Sequence, residues 1–126
     1  MRGGSIVNSC GEVLVVAARR TTNVLERMRG LLGRRQLQAG EALVIEPCSA
    51  VHTVGMRYQL DLVFLDREWR VVRFVGGVRP GHLCVAGGRK AWLVVELAAG
   101  WVDASVFERG MQLRWLEERG EGDGVA

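Results

Sequence analysis

Leu60–Asp66 (LDLVFLD) and Trp69–Val75 (WRVVRFV), separated only by Arg67 and Glu68, decide how the chain is read. Both runs are rich in β-branched and aromatic residues and alternate with a period of two, so they predict a β-hairpin even though its turn holds no glycine. In the first run Leu60, Leu62 and Phe64 fall on one face, and Asp61, Val63 and Leu65 on the other. Asp61 is thereby set among apolar neighbours, where a carboxylate must be paired, hydrogen-bonded or raised in pKa.

Working outward, Ala91–Leu97 repeats the pattern, with Ala91, Leu93, Val95 and Leu97 on one face and Trp92, Val94 and Glu96 on the other. Glu96 shares the situation of Asp61. Pairing of these two acids with Arg27, Arg29 or Arg57 is the structural expectation, and acid–base work is the functional one. Glu12–Ala18 reads as a buried first strand, Ala42–Glu46 as a short strand stopped by Pro47, His82–Ala86 as another, and Met111, Leu113 and Trp115 as a last alternating one. Val102–Phe107 fits a single helical turn. Thr21, Thr22 and Asn23 offer helix caps, and Leu25, Met28 and Leu32 then recur at helical spacing, predicting one main helix over about residues 23–33 that carries an apolar stripe.

These elements predict an α+β fold, mostly antiparallel β, in which about six or seven short strands make a small curled sheet or partly open barrel beside that helix. The chain has 126 residues, 48% of them hydrophobic and 25% charged, a balance that supports a packed core and excludes a disordered chain. Residues 1–116 are expected to form a single domain, and 117–126 a disordered acidic and glycine-bearing tail. No apolar run approaches the roughly 20 residues that cross a bilayer, and the N-terminal segment is broken by Asn8, Ser9, Cys10 and Glu12, so a cytoplasmic location is expected.

The net charge is +3, and Lys90 is the single lysine among 17 basic residues. Arg19, Arg20, Arg27, Arg29, Arg34 and Arg35 cluster against Glu26, but no aromatic residue interleaves with them, so a solvated face is favoured over nucleic-acid binding. Cys10, Cys48 and Cys84 are odd in number and irregularly spaced, which argues for free thiols. Cys48, His52, His82 and Cys84 have zinc-ligand chemistry without a zinc-site spacing, and no metal or other cofactor is expected. Cys48 and His52 could alternatively pair as nucleophile and base. Gly76-Gly77 and Gly87-Gly88 match no nucleotide-binding pattern.

Glu26–Arg34 (ERMRGLLGR), Val51–Tyr58 (VHTVGMRY), Leu60–Asp66 and Val95–Gly100 (VELAAG), in this order, resemble domain-of-unknown-function family 192. The resemblance covers about residues 12–116, and the combination of blocks is more specific than any one of them. It implies a small β-rich fold with one helix. It carries no catalytic activity, and the export signal or lipid anchor found on many members is not expected here. The positions matching its motifs are Arg27, Gly30, Leu31, His52, Thr53, Met56, Asp61, Glu96 and Gly100. Many members have a tryptophan before the methionine where this chain has Gly55, so a role for that ring does not carry over.

Together these readings point to a ligand-binding or accessory domain rather than an enzyme, with a pocket at the His52–Met56/Asp61 junction. Its ligand-binding candidates are Arg27, His52, Thr53, Met56, Asp61 and Glu96, and its expected partner is a small molecule or a protein. The alternatives are a hydrolase using Cys48 and His52 or Asp61, and a protein-interaction scaffold.

Overall fold

The computed structural model describes residues 1–31 and 33–118. Its elements run β1 (Arg2–Asn8), β2 (Val13–Arg20), α1 (Val24–Arg29), β3 (Glu41–Ile45), β4 (Ala50–Val51), β5 (Leu60–Leu65), β6 (Val71–Val78), β7 (Val85–Ala86), β8 (Leu93–Ala98), a 3-10 turn at Ala104–Phe107, and β9 (Leu113–Glu117). Seven strands form one sheet in the order β6-β5-β8-β3-β2-β1-β9, and β4 pairs with β7 in a small separate ribbon. Neighbours in the large sheet are antiparallel except β2 and β3, which are parallel and so need a crossover. That crossover carries α1. The two sheet edges meet at one end, where Arg70 bridges Gln112 and the Leu113 amide donates to the Trp69 carbonyl at 2.9 Å. The sheet is thus curled into a half-barrel.

The predicted hairpin is β5–β6, paired from Leu60↔Val78 to Leu65↔Val71. Its turn is built by Asp66, whose side chain accepts from the Glu68 and Arg70 amides, both at 2.9 Å. Trp69 takes the left-handed position (φ 65) that glycine usually fills, and its ring lies against Trp115 and the Arg20 guanidinium. Both faces of β5 and β8 are buried. Val63, Leu65, Val95 and Leu97 join Ile6, Val15 and Leu113 in a cluster spanning strands from across the sheet, the inside of the half-barrel. Leu60, Leu62, Phe64 and Val94 join Leu43, Ile45 and Leu31 in a second cluster on the opposite face, covered by loops and the crossover.

Three expectations need correction. The helix is six residues long, capped by Asn23, whose side chain accepts from the Glu26 amide, and ended by Gly30 at φ 52. Leu25 and Met28 are 78% and 71% exposed, so the stripe at helical spacing faces away from the core. Leu31, just beyond the helix, is the residue that packs; Leu32 lies outside the described residues. The fold is therefore mostly strands with almost no helix. Second, β1 was not expected: its apolar content is only Ile6 and Val7, and Gly3 and Gly4 conceal the strand. A side chain at Gly4 would collide with the Trp115 indole of β9, so glycine permits the close approach. Third, Glu117 belongs to β9 rather than to a tail; residues 119–126 lie outside the described residues.

Candidate functional site

Register places the two singled-out acids on opposite faces of the sheet. Asp61 pairs with Leu97 on the inner face, whereas Glu96 stands opposite Leu62 of β5 and Leu43 of β3 on the outer face. Asp61 is 3% exposed, and its carboxylate accepts from the Gly77 amide at 2.8 Å and the Gly100 amide at 3.0 Å. Backbone donors, not an arginine, satisfy it. Asp61 thus pins the end of β6 and the turn after β8, and it does not join the pocket that sequence reasoning drew around it.

Glu96 is 6% exposed and makes no hydrogen bond or ion pair among the described residues. Here too the expected arginine partner is missing. Its burial without a partner penalises the charged form and pushes its pKa from 4.5 to about 7. The carboxyl lines a cavity of about 460 Å³, a size within the range of small-molecule sites. Buried Leu31, Ile45 and Leu60 form its depth with Glu96, while half-buried Arg27 and Met56 and exposed His52 sit at its mouth. The residues Arg27, His52, Met56 and Glu96 are thereby brought to one cavity from α1, the loop after β4, and β8.

Thr53 is placed otherwise. It is 1% exposed; its hydroxyl donates to the Arg79 carbonyl at 2.7 Å and accepts from the His82 amide at 2.9 Å. Its backbone amide also donates to the His82 carbonyl at 2.8 Å. Thr53 therefore fastens the loop that carries His52 and Met56 to the loop after β6, and its polar atoms are used up in doing so.

Cys48 lies in the cavity wall, its thiol donating to the Ala50 carbonyl at 3.1 Å. Burial pushes the thiol pKa up, the Ala50 contact opposes this, and nearby Glu96 adds to the rise. A nucleophilic cysteine needs the reverse. His82 and Cys84 are exposed, and no three metal-ligating side chains gather among the described residues. The Tyr58 hydroxyl, which the sequence did not mark, is buried without a well-formed hydrogen bond, and burial followed by the charge of Glu96 raises its pKa. Sequence reasoning also missed Ile45 and Leu60 as cavity walls. Their alternation with inward residues gave them the same face as Glu96, but which loops close over that face is set by tertiary packing.

Three comparisons bear on this geometry. The profile of the DUF192 family, described as "Uncharacterized ACR", matches residues 6–115. No curated protein sequence matches the chain. Among solved structures, a protein from Sinorhizobium meliloti 1021, provisionally described as a transcription regulator, superposes with a TM-score of 0.75 at 16% identity, covering 90% of this chain and 92% of that one. A protein of unknown function from Novosphingobium aromaticivorans DSM 12444 superposes with a TM-score of 0.70 at 18% identity, covering 90% of this chain and 84% of that one. At these identities the likeness is one of fold. Among the described residues, no helix is long and apolar enough to cross a membrane.

Proposed function

The chain belongs to the DUF192 family, which brings no assigned biochemical function with it, and we propose from its geometry that it is a ligand-binding or accessory domain whose site is the Glu96 cavity. One observation carries this reading: a carboxyl, 6% exposed and without a partner among the described residues, in an open cavity whose buried walls are Leu31, Ile45 and Leu60. A buried acid without a partner destabilises the fold, and the cross-strand neighbours of Glu96 on either side are the apolar Leu43 and Leu62. Retaining the acid is reasonable where a ligand supplies the missing partner. Apolar walls with a few placed polar groups are also the usual make-up of small-molecule sites.

The test is native mass spectrometry of untagged protein, purified without chelator, as wild type and as Glu96→Leu. The wild type is expected to carry a small-molecule adduct that the folded variant lacks. A wild type that is bare and whose melting temperature is unmoved by a metabolite extract from its own cells contradicts the reading.

A further inference from the structure

The charges around the cavity are separated along its depth. Glu96 is at the bottom, and its pKa is perturbed by desolvation alone, with no arginine influencing it. Cys48 lines the same cavity and is influenced by both Glu96 and Arg27. The Arg27 guanidinium and the His52 imidazole, at the mouth, make no side-chain hydrogen bond or ion pair among the described residues. An acceptor without a donor and donors without an acceptor thus line one cavity together with apolar Leu31, Ile45 and Leu60.

We propose that the cavity takes a short ω-amino acid, with its ammonium on Glu96, its carbon chain against Leu31, Ile45 and Leu60, and its carboxylate toward Arg27 and His52. This rests on the reading of the cavity as a ligand site and adds the class of ligand. The orientation follows from electrostatics. A carboxylate placed at the bottom would meet a second carboxyl in a desolvated space, where like charges repel strongly, while an ammonium there receives a charge-assisted hydrogen bond. At the mouth the preference reverses, because a positive guanidinium attracts an anion and repels an ammonium. A separated pair of charges also explains why the carbon chain must be longer than that of an α-amino acid, whose two charged groups share one carbon.

The test is isothermal titration of the full chain at pH 7.5 with glycine, γ-aminobutyrate, δ-aminovalerate and ε-aminocaproate, and with pentylamine and valerate as controls that each lack one end. Affinity is expected to rise from glycine to an intermediate chain length. The best ω-amino acid should bind about tenfold or more tighter than either control, the scale of one hydrogen bond to a charged group. Glu96→Gln should weaken the amino acid and pentylamine alike by about tenfold, whereas Arg27→Gln should weaken the amino acid and leave pentylamine unchanged. Arg27 is only half-buried, so that variant is expected to fold even if a Glu96 variant does not.

Pentylamine binding as tightly as the amino acid overturns the proposal, as does valerate doing so, or no member of the series binding. A different co-purified molecule seen by mass spectrometry, with no member of this series binding, sinks the ligand class and leaves the ligand site standing. No adduct and no titration signal sink both.

Discussion

Replacing Glu96 by glutamine removes the ionisable group while keeping its size and polarity, and it should change how stability depends on pH. The Glu96 pKa is raised from 4.5 in an exposed chain to about 7 in the fold. Well below pH 4.5 both states are protonated and the group contributes no pH dependence. Between 4.5 and about 7 the folded state holds a proton that the unfolded state has released, so stability falls as pH rises through this window. Above about 7 both states are ionised and the loss is complete. At about 1.4 kcal/mol per pKa unit the loss is on the order of 3 to 4 kcal/mol, an upper bound because a buried charge draws in water and local relaxation. Urea denaturation of wild type and Glu96→Gln in parallel from pH 4 to 8.5 isolates the term, since the two proteins differ in this one ionisable group. The variant should gain on the wild type steadily across the window and be the more stable protein, relative to acid pH, by up to that amount. A difference that stays flat across the window would refute the placement of Glu96 as a buried acid without a partner.

Other perturbations probe the surroundings. Asp61→Asn leaves one carboxamide oxygen to serve the Gly77 and Gly100 amides, so chemical denaturation should show a loss of about 2 kcal/mol, with the Glu96 titration unchanged on the opposite face. Trp69→Ala should be less stable than Trp69→Gly by about 1 kcal/mol, because both lose the packing on Trp115 and Arg20 but only alanine keeps the left-handed strain; equal stabilities would mean the turn relaxes. In timed iodoacetamide labelling read by peptide mass spectrometry, exposed Cys10 and Cys84 should react before Cys48, and a fast Cys48 would revive the nucleophile reading.

Much of the sheet was legible because it is two-sided. β5 and β8 alternate strictly between two buried faces, so Leu60-Asp61-Leu62 and Val95-Glu96-Leu97 announced both the strands and the two misplaced acids. β1 was not legible, because Gly3 and Gly4 serve close packing under Trp115 and leave only two apolar residues to signal a strand. The helix misled for the opposite reason. Leu25 and Met28 have helical spacing, yet Asn23 and Gly30 confine the helix to fewer than two turns, and it is Leu31 that turns inward. For the site, sequence grouped Arg27, His52, Met56 and Glu96 as candidates for one pocket, and β8, the crossover and the loop after β4 carry them to the wall of one cavity. It also grouped Asp61 and Thr53 with them, because an apolar-flanked acid and a motif threonine look the same whether they meet a ligand or the backbone. Here both meet the backbone.

The most direct test of the unpartnered acid in the cavity is a carbon-13 NMR titration of the Glu96 side-chain carboxyl, assigned by loss of its resonance in Glu96→Gln. A midpoint of about 7 is the predicted result. A midpoint near the ordinary 4.5 would mean that the carboxyl is solvated or already paired, and the reading of this cavity as a site awaiting a ligand would fall with it.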